Sequence, residues 1–248
     1  MSVEILPFQN LDEPEDGFGL QQAILEEVGA RERGAAMLAW SSSPYVAATR
    51  LETRLPGFEK AVEDAENLGF PVMVRNSGGG AVAANEGSLS FSLTFPVEDM
   101  RRDLFERYGE GVSLVSAALR RVGVEAEGGE VEGEFCPGAY SVRSGGENGV
   151  KRAGLAQRVT KRAARIEALI LVRDTDTLVP ILEKFYGSLD LLFRPSSVGD
   201  LPASVPEVAE ALSAEVRERY GGSEGSLSEA AFERAQEMRG EWRAHRPS

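Results

Sequence analysis

The chain has 248 residues, 42% apolar and 27% charged, with a formal net charge of −13 at pH 7. It can bury a core unaided, and its acidity excludes nucleic acid as the main partner, because a phosphate backbone is gripped by an excess of Lys and Arg. One cysteine rules out an internal disulfide, and one histidine, His245 in the polar tail, removes the usual zinc ligand sets, although carboxylate-bound magnesium stays open. No stretch reaches the roughly 18 apolar residues of a membrane span, and the opening MSVEILPFQNLDEPEDG has no basic leader, so a cytoplasmic protein with no membrane contact is expected.

In chain order, GFGLQQAILEEVGA (17–30) sets Leu20, Ile24 and Val28 on one helical face. AAMLAWSSSPYVAATR (35–50) reads as two strands about a Ser-Pro turn, and PGFEKAVEDAENLG (56–69) as a helix opened by Pro and closed by Gly. FPVMVR (70–75) is a strand, followed by the loop NSGGGAVAANEG. SLSFSLTFP (88–96) alternates apolar with Ser or Thr, as a half-buried strand does. DLFERYGEGVSLVSAALRRVG (103–123) is a helix in which Gly109 to Gly111 allow a break. EFCPGAYSVRSGGENGVKRAGLAQR (134–158) reads as strand, turn and strand with SGGENG at the tip, and IEALILV (166–172) as a buried strand. TLVPILEKFYG is a helix. The tail from Pro206 predicts two helices, 207–221 and 227–246, around a flexible GSEGS. The irregular alternation predicts an α+β architecture with a mixed, largely antiparallel sheet flanked by helices and a C-terminal helical tail.

Three features bear on chemistry. The loop VRNSGGGAV, residues 74–82, follows a strand, and its glycines let a ligand approach bare backbone N–H groups. It has neither the Gly-Lys-Ser/Thr of a phosphate loop nor the Gly-x-Gly-x-x-Gly spacing of dinucleotide folds, and a plain turn fits it equally. Cys136 either fills a core, as unpaired cysteines usually do, or acts as a thiolate, which needs a nearby cation. With His245 remote, Lys151 across the expected hairpin is the candidate, the bland alternative being a surface lysine. Finally, KRAGLAQRVTKRAAR (151–165) carries Lys151, Arg152, Arg158, Lys161, Arg162 and Arg165 without an acid, as a solvated face or as a docking surface for an acidic partner.

TRLP (53–56), VRNSGGGAV with NEGSLSFSL, EFCPGAYSV and KRAGLAQR occur in an order and spacing that resemble the biotinyl/lipoyl protein ligase superfamily. Within it they look most like the cysteine-dependent branch that moves octanoyl or lipoyl groups between proteins. The resemblance covers roughly residues 18–195 and implies that fold, with an acyltransferase catalytic domain at 1–205 and a helical extension at 206–248. It further implies a ping-pong reaction through a Cys136 thioester, with Lys151 on the acyl carbonyl and Arg75, Asn76, Ser77, Gly78, Gly79 and Gly80 binding the acyl group. Gly154 would let a facing backbone come close. The donor would be glycine cleavage H protein or acyl carrier protein, and the acceptor the lysine of lipoyl domains of 2-oxoacid dehydrogenases. No cofactor is implied, ATP and magnesium entering only under the alternative of an ATP-dependent lipoate-protein ligase. Burying an octanoyl tail is worth about 5 kcal/mol at ~0.8 kcal/mol per methylene, enough to measure chain length.

Overall fold

The computed structural model describes residues 2–99 and 103–244, so His245 lies outside the described residues. The chain opens with β1 (Val3–Ile5), β2 (Gln9–Leu11), α1 (Pro14–Ala30), β3 (Ala35–Ser42) and β4 (Tyr45–Thr49). Next come α2 (Phe58–Asn67), β5 (Val72–Arg75), β6 (Val82–Ala84), β7 (Ser88–Pro96) and α3 (Leu104–Arg121). The second half holds β8 (Glu127–Gly128), β9 (Ser141–Ser144), β10 (Val150–Val159), β11 (Ala163–Leu171), α4 (Val179–Ser188), α5 (Val205–Tyr220), β12 (Ser223–Glu224), α6 (Glu229–Glu237) and α7 (Arg239–Trp242).

The expected α+β architecture is the one adopted. A nine-stranded sheet runs β12-β1-β3-β7-β11-β10-β9-β8, with β2 also on β3, and a three-stranded sheet runs β5-β4-β6. Pairing from β3 through β7, β11, β10 and β9 to β8 is antiparallel, while β12–β1, β1–β3, β2–β3 and β4–β5 are parallel. Helices α3 and α5 cover one face of the large sheet, and α1 lies on the other with α6 and α7 beyond it. The small sheet packs with α2 and α4 around its own core.

Several elements depart from expectation for identifiable reasons. Helix α1 starts at Pro14, a turn early, because a proline in the first turn gives up no helical hydrogen bond. Helix α3 passes unbroken through Gly109 and Gly111; a β-carbon on Gly111 would lie 2.8 Å from Leu155 Cδ2, so glycine there admits β10 rather than ending the helix. Strand β7 is buried on both faces, since its Ser90, Ser92 and Thr94 lie beneath α1 as Leu89, Phe91 and Leu93 lie beneath α3 and α5. The tail helix breaks at Met238 into α6 and α7, and the GSEGS segment is not free, because Ser223 and Glu224 pair with β1. Helix α5 puts Val205, Val208, Leu212 and Val216 into the main core, and its Ser204/Glu207 capping box fixes its start.

Candidate active site

Cys136 is not on a strand, contrary to the strand-turn-strand reading; it sits in the loop between β8 and β9, half-buried, with φ 45°. A non-glycine residue in this left-handed region is held there by its surroundings. Its backbone N–H donates to Tyr186 Oη at 2.6 Å, and that hydroxyl donates onward to the Ala81 carbonyl at 2.8 Å. Burial, reinforced by charge at Cys136, pushes the Tyr186 hydroxyl far up, so it stays a donor at any physiological pH. The thiol faces the glycine loop: Gly80 N–H donates to Sγ at 3.0 Å and Arg75 Nη2 lies 3.8 Å from it. Gly79 has φ +98°, and a β-carbon there would fall 2.8 Å from Sγ.

Lys151 lies wholly inside, against the surface-lysine alternative. Its Nζ donates to Glu134 Oε1 at 3.1 Å and to the carbonyls of Phe135 and Cys136 at 2.8 and 2.9 Å, over the Phe135 ring at 4.7 Å. All three protons are therefore engaged, two of them holding the loop that carries the thiol. Glu134 also accepts from Ser141 Oγ at 2.5 Å and Val131 N–H at 3.1 Å. A bulge in the β9–β10 pairing between Lys151 and Ala153 makes this geometry: it brings Lys151 to the face of Gly154, where an added β-carbon would meet Lys151 Cε at 3.2 Å. The neighbour of Gly154 is thus the lysine side chain, not a facing backbone.

The other predicted residues divide. Arg75 donates to Ser77 Oγ at 3.2 Å and the Gly80 carbonyl at 2.7 Å, and its Nη1 is 3.8 Å from Glu167 Oε1. Burial pushes Glu167 upward, but Arg165 and Arg75 outweigh it and hold the carboxyl below its ordinary range. Arg75 Nε and Arg165 Nη1 are buried without a partner among the described residues, leaving donors in reserve. Asn76 turns away from the thiol to Gln22 and Arg165, and Gly78 lines a neighbouring cavity with Ser77 and Gly79. Glu52, unmarked by any sequence signal, ties the loop down by accepting from Ala81 N–H at 2.7 Å and Thr49 N–H at 2.8 Å. Tyr186 was equally silent, whereas Glu134, two residues before the lone cysteine, was a findable counterion for Lys151. The basic stretch 151–165 is no single surface: Lys151 and Arg165 are buried, Arg152 is tied to the carbonyls of Gly199 and Asp200, and Arg158, Lys161 and Arg162 remain outside.

Cys136, Arg75, Lys151 and Gly154 line a cavity of about 50 Å³ whose walls include Phe18, Gln21, Trp40, Tyr45, Leu155 and Leu169. Burial pushes Tyr45 up to about 12 against the pull of its Ser90 hydrogen bond, so this ring stays neutral, while Arg75, Lys151 and Glu167 bring charge to the same cavity. A second cavity of about 250 Å³ shares Arg75 and is bounded by Arg50, Leu51, Arg158 and the Ser77–Gly79 turn. Among the described residues no cluster of three or more His, Cys, Asp or Glu side chains could hold a metal ion, and no helix is long and apolar enough to cross a membrane.

Residues 13–218 match the family described as Lipoyl protein ligase A/B catalytic domain. The chain belongs to this family. It is similar to the Octanoyl-[GcvH]:protein N-octanoyltransferase of Geobacillus kaustophilus, 29% identical over 207 residues that cover 81% of this chain and 72% of that protein. It is also similar to the Lipoyl-[GcvH]:protein N-lipoyltransferase of Listeria monocytogenes, 25% identical over 170 residues, 68% of this chain and 60% of that protein. In fold it resembles lipoate-protein ligase A bound with ATP, with a TM-score of 0.73 at 19% identity, over 96% of this chain and 94% of that one. The bi-partite lipoate protein ligase of Thermoplasma acidophilum gives 0.71 at 19% identity, over 96% and 92%. The sequence resemblance thus holds at the level of the superfamily and of an enzyme in lipoyl or octanoyl metabolism.

Proposed function

We propose that this member of the lipoyl ligase family transfers an octanoyl or lipoyl group from a carrier protein to the lysine of a lipoyl domain through a Cys136 thioester. The observation that carries the reading is the placement of Sγ, 3.0 Å from Gly80 N–H and 3.8 Å from the Arg75 guanidinium, on the wall of an apolar cavity. An N–H donor and a fixed cation thus flank the sulfur that acts as the nucleophile. The thiolate attacks the acyl carbonyl of the donor, a C–S bond forms, and the carrier's thiol or lysine nitrogen leaves with a proton. The acceptor amine then attacks the thioester, a C–N bond forms as the C–S bond breaks, and Cys136 Sγ leaves with the proton that the amine gives up. Lys151 meets the acyl carbonyl by exchanging one of its loop carbonyls for it, and the unpartnered Arg75 Nε is a second donor nearby.

Glycine cleavage H protein or acyl carrier protein is the proposed donor, and lipoyl domains of 2-oxoacid dehydrogenases the acceptor; such carriers are commonly acidic. Arg50 and Arg158 are exposed beside the glycine turn with no ion pair among the described residues, next to Leu51 at 72% exposure. They give an acidic carrier a landing surface, to which the stretch 151–165, open in the sequence between a solvated face and a docking surface, contributes Arg158.

A second reading, activation of free acid as an acyl-adenylate by ATP and magnesium, is favoured by the likeness to a ligase bound with ATP and by the second cavity with Arg50, Arg75 and Arg158 around it. One experiment separates them. Octanoylated carrier is mixed with the protein without ATP, and intact mass is read for an adduct of about 126 Da, an acyl group replacing hydrogen on the thiol. The thioester reading expects the adduct on the wild type and its loss in Cys136→Ala. No adduct, with ATP-dependent lipoylation retained by Cys136→Ser, establishes the ligase instead.

A further inference from the structure

The segment from Ser223 to Ala244, which lies beyond the matched domain, runs back over the wall of the apolar cavity as a strap. Ser228 caps α6 by accepting from Ala231 N–H at 3.1 Å, and α6 lies along α1 so closely that a β-carbon on Gly19 would fall 2.7 Å from Ala235 Cα. Ion pairs fasten the rest: Arg234 to Glu26 at 3.1 Å, Arg239 to Asp16 at 2.5 Å, and Arg243 to Glu15 and Glu13. An antiparallel bridge from Met73 to Arg243 and the bond from Ala244 N–H to the Val72 carbonyl at 2.8 Å then bring the strap onto β5, the strand that ends at Arg75.

Trp242 is where this strap reaches the cavity. It is buried, with its ring centroid 5.8 Å from that of Phe18, and Phe18 lies 5.5 Å from Trp40 and 5.4 Å from Tyr45. Phe18, Trp40 and Tyr45 line the cavity, and Trp242 stands behind Phe18. An octanoyl tail carries seven carbons beyond its carbonyl, and the added carbons of a longer chain must find room against walls that include Phe18. How far Phe18 can yield to a longer chain is set by what packs behind it.

We propose that Trp242 is a positioning residue which, through Phe18, sets the longest acyl chain that Cys136 accepts. The inference rests on the thioester reading above. The test loads the full chain with hexanoyl, octanoyl, decanoyl and dodecanoyl carrier thioesters and measures kcat/KM for the Cys136 adduct by intact mass. In Trp242→Ala the decanoyl-to-octanoyl ratio rises by about four- to sixteenfold, since each newly buried methylene is worth up to about fourfold. Trp242→Phe brings the ratio back toward wild type. Partial unfolding lowers all chains alike and leaves the ratio unmoved; if Trp242→Ala does not fold, Phe18→Leu shortens the same wall and shifts the ratio the same way. An unchanged ratio in the folded variants overturns the inference. If the wild type forms no adduct with any chain, the thioester reading falls, and the same series is read as calorimetric binding of free fatty acids, where an unaltered length preference overturns the role of Trp242.

Discussion

Replacing Lys151 by Met keeps the stem of the side chain and removes the ammonium from a site where it and Glu134 are both 0% exposed. Three hydrogen bonds disappear, and Glu134, still held by Ser141 and Val131, loses the only cation it pairs with among the described residues. Breaking one side of a buried pair costs about 3–5 kcal/mol, because the remaining charge is left uncompensated. For a chain of this size each kcal/mol moves Tm by about 2–4 °C, so a fall of roughly 6–20 °C is expected. Adding Glu134→Gln removes the orphaned charge and recovers part of the stability, giving a coupling of about 2 kcal/mol in the double-mutant cycle. Thioester formation is not recovered, because the carbonyls of Phe135 and Cys136 stay unheld and the acyl oxygen has no ammonium to meet. Urea unfolding of the four proteins at pH 7, alongside adduct rates, measures both effects. A single-variant loss below about 1 kcal/mol, or independent behaviour of the two sites, would refute the account of the buried pair.

Gly79→Ala places a methyl 2.8 Å from Sγ and 2.9 Å from Arg75 Nη2 at φ +98°. The backbone penalty is about 1–2 kcal/mol, but displacement of the thiol lowers adduct formation by about 10²-fold, and a wild-type rate in the folded variant would contradict the assigned thiol position. Glu167, lowered from its ordinary 4.5, contributes stability that is full above that pH and declines as acid takes the carboxyl through its depressed folded value. Glu167→Gln therefore loses stability at pH 7 and shows a shallower acid limb in urea unfolding from pH 7 to about pH 3; equal pH profiles for the two proteins would remove this role.

Much of the fold was written in local pattern. The stripe of Leu20, Ile24 and Val28 gave α1, and Pro56 and Gly69 bracketed α2, because helix periodicity and end signals are properties of neighbouring residues. Strand β7 was found by its alternation, but its second buried face was not, since small hydroxyl residues look solvated until a helix lies on them. In the site, Cys136, the glycine turn and Lys151 were singled out by residue type and by motif order. How they meet was not legible: the β10 bulge that re-aims Lys151 depends on pairing with β9, and Tyr186 reaches Cys136 from fifty residues away. Glu52 belongs to the same class, as its partner Ala81 lies across the small sheet.

The parallel placement of β1 between β3 and β12 joins one partner that is near in the chain to one that is distant. One side of β1 is covered by β3, which begins at Ala35. Its other side carries open backbone groups until Ser223 and Glu224 pair with it. Closing that side of β1 therefore needs a partner that lies far along the chain, and until the two meet the strand leaves an uncovered sheet border.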